Sequence, residues 1–221
     1  MIYLLNGPIV LKTLTDEVYR RIRLSLFQNL YKPGEQIDIG QISTQLNVSR
    51  QPVKEALNRL AQEGLMEIRP RVGTFVRKFN RIDVLNIMEA RRMIEVFAVT
   101  NGTVDPESLQ ALEKETELMN QMSEKKSFEY LAYNDADHKF HMLLVGLSRN
   151  EILVNSFVQL NTHYITARAF YANAFERMIS QYAQHTEILH HLQQGDTYKA
   201  VAIVDAHIRR AQSELLKIFI D

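Results

Sequence analysis

The run Val48-Ser49-Arg50-Gln51-Pro52-Val53-Lys54-Glu55-Ala56-Leu57 constrains this chain more than any other stretch. A proline is tolerated in a helix only within its first turn, so a helix has to begin just before Pro52. Ser49 is the natural N-cap, with a hydroxyl able to accept from the free amides of that turn. The amphipathic segment before it ends near Leu46, which leaves Asn47-Val48 as a short turn. Val53, Ala56, Leu57 and Leu60 recur at helical spacing and face a core, while Arg50, Gln51, Lys54 and Asn58 point outward from the front half. Two helices around a tight turn, the second with a polar leading end, predict a helix-turn-helix whose second helix reaches base edges in the major groove.

The flanking residues extend this into a winged unit. Gly64 sits where a helix C′ residue belongs. Leu65–Ile68 and Thr74–Arg77 are β-prone runs around a Pro70/Gly73 turn, which predicts a basic hairpin carrying Arg69 and Arg71. Such a wing adds phosphate and minor-groove contacts. Upstream, Leu14, Val18, Ile22, Leu26 and Leu30 predict a first helix from Thr13, stopped by Pro33-Gly34. Its Arg20, Arg21 and Arg23 read as a solvated face rather than as phosphate ligands. The unit is expected over residues 13–79, after an arm of residues 1–12 with no assignment.

Charge divides the chain in the same place. Lys and Arg total 26 against 26 Asp and Glu, but residues 12–78 hold 12 basic and 7 acidic side chains. The remainder holds 14 and 19. The front third is matched to phosphate and the rest is not. No run reaches the roughly 18 apolar residues of a membrane span. The mildly apolar start lacks a basic n-region and a cleavage site, so no signal peptide is expected. The absence of cysteine excludes disulfides and thiolate metal sites and fits a cytoplasmic protein.

Beyond Phe79 strand alternation stops, and six helices are expected in an all-helical domain over residues 80–221. Asn80, answered by Asp83, caps the first; Asp105-Pro106 opens the second. The third runs from about Ser127 to Leu147, and the fourth starts at Asn150. The fifth covers about Met178 to Gln194, and the sixth follows Gly195-Asp196 to about Phe219. The fold class is therefore mainly α: a winged helix-turn-helix with a small β-hairpin, then a helical bundle.

Four polar residues interrupt its apolar stripes. Asp137 and His141 lie four apart on one helix face, in line with Asn134 and Leu144. His185 aligns with Ile188 and Leu192; His207 lies between Val204 and Ala211. His185 precedes Gly195 by ten residues and His207 follows it by twelve, so the two imidazoles stand roughly 15 and 18 Å from one turn on antiparallel neighbours. If the third helix packs beside them, three imidazoles and a carboxylate converge, and a divalent cation satisfies all four. A nitrogen-rich set suits zinc, nickel, manganese or iron, and not calcium. His138, His163, His190 and His191 read as ordinary boundary or surface histidines.

The front segment resembles the DNA-binding domain of the GntR family of bacterial transcription regulators, on Pro33-Gly34-Glu35, residues 48–57, Arg59-Leu60, Glu63-Gly64-Leu65 and Gly73. The resemblance carries DNA contacts onto Ser49, Arg50, Gln51, Lys54, Arg71 and Gly73. Some members place an arginine at the start of the second helix, where this chain has Gly40. The back segment resembles the helical ligand-binding domain of the FCD subclass, on Glu89-x-Arg91-x-x-Ile94-Glu95, Asp137-x-x-Phe140-His141, Ser148-x-Asn150, His185-x-x-Ile188 and Gly195-Asp196…Ala206-His207-Ile208. That subclass holds a divalent metal on the residues matching Asp137, His141, His185 and His207, in a pocket for small organic acids. Arg91 matches a family arginine near the pocket and is expected either to pair with an effector carboxylate or to form a helix-surface ion pair with Glu95. Six helices would place the chain with the smaller members.

The resemblance implies a homodimeric repressor on a near-palindromic double-stranded operator, relieved by a small carboxylate. Two alternatives stand beside it. One is a metal-dependent enzyme acting on a carboxylate, disfavoured because no H-E-x-x-H general base is found. The other is a regulator whose metal is purely structural.

Overall fold

The computed structural model describes residues 13–124, 130–170 and 174–219. Residues 1–12 and the expected helix start at Ser127 lie outside them.

Helix α1 (Leu14–Phe27) opens on a capping box, with Asp16 and Thr13 satisfying each other's backbone amides. It is shorter than its apolar pattern suggests. Leu14 and Leu30 are exposed, and Asn29 turns the chain at φ +57° before Pro33 is reached. A two-residue strand β1 (Gln36–Ile37) leads into α2 (Ile39–Leu46), which ends on Asn47 in the left-handed region. The recognition helix α3 (Arg50–Gln62) follows, burying Val53, Ala56, Leu57 and Leu60. It closes at Gly64 with Gly64 N–H donating to Ala61 and Leu65 N–H to Leu60, the paired bonds of a Schellman end. Strands β2 (Met66–Arg69) and β3 (Gly73–Val76) form the hairpin, with Arg69 opposite Gly73. Strand β1, which the residue pattern did not announce, pairs with β3 on its other edge and gives the order β1-β3-β2.

Seven helices follow among the described residues, not six: α4 (Arg81–Asn101), α5 (Pro106–Glu124), α6 (Tyr130–Gly146), α7 (Glu151–Gln159), α8 (Thr162–Phe170), α9 (Ala174–Gln193) and α10 (Thr197–Ile218). Placing the chain with the six-helix members therefore fails. The expected fourth helix breaks at Asn161, which adopts φ +55° and accepts the first backbone bonds of α8. No proline or glycine marks that break, and asparagine is among the few side chains that enter the left-handed region at small cost. Elsewhere the caps are as expected. Asn80 and Asp83 form a capping box, Asp105 accepts from Ser108 N–H, and Asp196 accepts from Lys199 N–H.

Helix α8 is the element both halves share. Tyr164 and Ala167 are buried in the core of the winged unit, with Val18, Leu26 and Phe27, while Ile165 is buried with the helical body's Met88, Leu144 and Ile188. The Tyr164 ring lies 5.6 Å from Phe27, and Arg168 donates to Asn29, to the Tyr31 carbonyl and to the Tyr164 hydroxyl. A second tie joins Arg23 of α1 to Asp135 of α6 through two hydrogen bonds, 2.7 and 3.2 Å long.

Candidate DNA-reading face and metal centre

The outward end of α3 carries Arg50 and Lys54, both exposed and without an ion-pair partner among the described residues. With Gly73, Thr74, Gln36 and Gly40 they line an open groove of about 530 Å³ between the recognition helix, the start of α2 and the wing. Gln36 fixes the wing by donating to Val72, and its amide fills the space beside Gly73. A side chain at Gly40 would start 3.6 Å from an Arg50 terminal nitrogen, so the two positions share one space. Arg71 stands at the exposed wing tip with φ +63°. Gln51 donates to Glu55 at 2.8 Å. By contrast, Arg20 and Arg21 pair with Glu17, and Arg59 pairs with Asp16 and Glu63.

Ser49 occupies the N-cap position of α3 with extended backbone but makes no side-chain cap bond. Pro52 removes one of the two amides such a cap can use, and Gln51 keeps the other. An N-cap hydroxyl usually accepts from the third helical amide, and here that residue has no N–H to give. The expected cap bond is absent, and the exposed hydroxyl is left to solvent or a ligand.

In the helical body, the rings of His141, His185 and His207 come together from α6, α9 and α10. Their centroids are 5.2 Å (His141–His185), 5.1 Å (His141–His207) and 4.9 Å (His185–His207) apart. One nitrogen from each lies within 4.8 Å of the others, and all three side chains are buried. The α9–α10 hairpin brings His185 and His207 level. It turns at Gly195 with the same paired bonds as α3's end, Gly195 N–H to Leu192 and Asp196 N–H to His191. Asp137 Oδ1 is 3.4 Å from His185 Nε2 and 4.0 Å from His141 Nε2, so the carboxylate borders the triad without belonging to its tightest group.

The surroundings suit a ligand set. His141 Nδ1 is held by Glu95 Oε2 at 2.7 Å and His207 Nδ1 by Gln184 Oε1 at 3.0 Å. Holding one ring nitrogen orients the other, as around bound metals. His141 Nε2 and both nitrogens of His185 are buried without a hydrogen-bond partner. Burial holds His141 well below the usual imidazole range, reinforced by the Arg91 charge, and burial lowers His185 as well. Both rings are therefore neutral, the form that donates a lone pair to a cation. Buried polar atoms left without partners are costly, and a divalent ion is one group that would satisfy them together.

Arg91 forms the ion pair with Glu95, at 2.6 Å, but inside the protein rather than on a helix surface. Burial raises Glu95, against the neighbouring Arg91 charge that lowers it. Sequence reasoning missed that Glu95 holds His141. The signal was present: Met88, Arg91, Glu95 and Ala98 form one helical stripe, with two charges on an otherwise apolar face. Of the histidines set aside, His190 is exposed, whereas His138 and His163 stack on each other at 4.0 Å.

Comparison with known proteins fits both halves. The model of bacterial regulatory proteins of the gntR family matches residues 14–76, and that of the FCD domain matches residues 86–210. The chain is 25% identical over 203 residues to the HTH-type transcriptional repressor RspR of Escherichia coli K12, covering 92% of this chain and 89% of that one. It is 30% identical over 192 residues to the Nta operon transcriptional regulator of Aminobacter aminovorans, covering 85% and 88%. A GntR transcriptional regulator from Rhodococcus sp. RHA1 shares the fold, with a TM-score of 0.73 at 22% identity over 93% of this chain and 99% of that one. These relatives are regulators and not enzymes. No helix among the described residues is long and apolar enough to cross a membrane. A helix-turn-helix with unpaired cations at its leading end, joined to a helical body with a buried histidine triad, thus belongs to the GntR family of bacterial regulatory proteins, as a DNA-binding transcription regulator with an FCD domain.

Proposed function

We propose that this regulator is a cytoplasmic homodimeric repressor whose grip on a near-palindromic operator is released by a small carboxylate bound at a divalent metal. Residues 13–79 would read DNA, and residues 80–221 would sense the metabolite and dimerise. The observation that carries the sensing half is the buried triad of His141, His185 and His207, in which His141 Nε2 and both nitrogens of His185 have no hydrogen-bond partner, bordered by Asp137. His141, His185, His207 and Asp137 would hold zinc, nickel, manganese or iron, and the bound ion would supply a fixed positive charge for the effector carboxylate. Arg91 has its Nε committed to Glu95, while its terminal nitrogens have no hydrogen-bond partner among the described residues and would pair with that carboxylate.

Ser49, Arg50, Gln51, Lys54, Arg71 and the backbone at Gly73 would contact DNA. Arg50 and Lys54 are the ones supported by exposure and by forming no ion pair among the described residues, although Asp38 lines the same groove. Exposed Met93 and Phe97 of α4 and Ile152 of α7 support the dimer, since these two helices pack together and leave apolar side chains to solvent. Release of DNA requires that the acid bind one arrangement of the two halves more tightly than the other.

Elemental analysis of the full chain, with gel retardation on its operator fragment, tests the reading. Purified protein should carry a divalent transition ion, which His185→Ala plus His207→Ala should abolish without unfolding the winged unit. A panel of mono-, di- and tricarboxylates should contain one that releases DNA, and chelator should remove that response. Full metal occupancy in the double variant would remove the site. A metal that stays while no carboxylate acts would leave it purely structural.

A further inference from the structure

A second cavity, lined by residues other than the triad, lies along the seam between the winged unit and the helical body. It measures about 920 Å³, within the range of small-molecule sites, which favour junctions between domains. Tyr19, Arg23, Arg59 and Arg77 line it together with the Glu63 carboxylate, which Tyr19 and Arg59 engage; His138, Asn161 and His163 complete the lining.

Its chemistry is that of an anion site with a flat wall. Three guanidiniums face it, but they are not equivalent. Arg23 is committed to Asp135, and Arg59 to Asp16 and Glu63 while stacked over the Tyr19 ring. Arg77 has no carboxylate partner among the described residues; its contacts are the Gly64 carbonyl at 3.5 Å and the face of Phe79 at 4.7 Å. The flat wall is the stacked pair His138 and His163, planes 24° apart, with Val158 beside it. His163 Nδ1 is buried and has no hydrogen-bond partner. Burial pushes His163 well below the usual imidazole range, so the wall is uncharged at neutral pH and suited to stacking.

Neither function already described uses these groups. The DNA-reading groove takes the leading end of α3, whereas the seam takes its last turn at Arg59 and Gln62, about 13 to 18 Å along the helix from Arg50. His138 follows Asp137 directly, and successive residues of a helix diverge by about 100°, so α6 presents Asp137 to the triad and His138 to the seam.

We propose that this seam is a second ligand site, for a flat aromatic carboxylate, whose carboxylate pairs with Arg77 and whose ring lies against His163, the outer ring of a stack that continues through His138 to Phe157. The occupant touches both halves at once and so acts on their docking directly.

Titration of the full-length protein with 2-naphthoate tests it, read by the fluorescence anisotropy of the ligand; the chain has no tryptophan to overlap the signal. Saturable binding is expected. It should weaken by about tenfold or more in Arg77→Gln, the loss of a bidentate charged pair, and stay unchanged in His185→Ala plus His207→Ala. If Arg77→Gln lowers the melting temperature, His163→Leu replaces it with the same expectation. Absence of saturable binding would overturn the proposal. So would binding that survives Arg77→Gln and vanishes in the triad variant, which would place the ligand at the triad.

Discussion

The winged unit and the helical body treat charge in opposite ways. On the proposed DNA-reading face Arg50, Lys54 and Arg71 are exposed and have no ion-pair partner among the described residues, carried by a helix end and a hairpin tip. In the body the charges of Arg91 and Glu95 are buried against each other, and the imidazoles beside them are kept neutral by burial. A phosphate backbone is met by cations that stay solvated until counterions leave, so affinity comes cheaply and depends on salt. A small ligand is met by groups already stripped of water, where each polar atom without a partner favours binding something. Under the proposed function, contact falls to one region and recognition to the other, with α8 and the Arg23–Asp135 pair as the joints between them.

The most damaging way to break the comparison is to cut that joint. Tyr164 is fully buried, contributes to the winged core from a helix of the body, and packs on Phe27 and Phe79. Tyr164→Ala should cost about 3–5 kcal/mol, the range for deleting a buried aromatic side chain. Urea unfolding followed by circular dichroism should show one transition shifted as a whole. Two transitions, with only the first displaced, would mean that the halves are stable separately and that α8 belongs to one of them.

Next in size is the contact itself. Arg50→Ala should lose roughly 1–3 kcal/mol of operator binding, the worth of a good bidentate base contact, with metal content unchanged. Gel retardation at fixed salt measures it, and wild-type affinity in this variant would remove Arg50 from the interface. Lys54 offers the sharper version. If it touches phosphate rather than a base, Lys54→Ala should weaken all sequences alike and reduce the salt slope by about 1.

Legibility followed the physics of each element. The helix-turn-helix could be read because proline, a cap position and apolar spacing all point to one geometry within a few residues of each other. The triad could be read because a histidine on an apolar stripe is conspicuous, and counting from Gly195 sets the height of two of them. What escaped notice depends on tertiary contact. The break at Asn161 comes from a residue with tolerated but not diagnostic backbone freedom, so α7 and α8 merge on paper. The role of Glu95 was hidden because Arg91 and Glu95 at i, i+4 resemble any surface pair until burial is known. Strand β1 is two residues long and exists only by pairing with β3. The missing Ser49 cap bond was legible only in part, since Pro52 removes one usual donor while Gln51 keeps the other.

The smallest effect concerns pH and tests whether the neutral-imidazole principle extends beyond the triad. His163 is lowered first by burial, then by the charges of His138, Arg23 and Arg91. Because its folded value lies below the unfolded value of about 6.5, the unfolded chain takes up this proton first as pH falls. The stability contributed by the neutral ring is present above the unfolded value and is lost on acidification. Between pH 6.5 and pH 5 one such group contributes at most about 2 kcal/mol to that loss. His163→Phe keeps the flat wall without the proton, so its unfolding free energy should fall less steeply with pH over that window. Parallel pH profiles for wild type and variant would show that His163 binds its proton equally in both states, and the seam would then be wetter than its burial indicates.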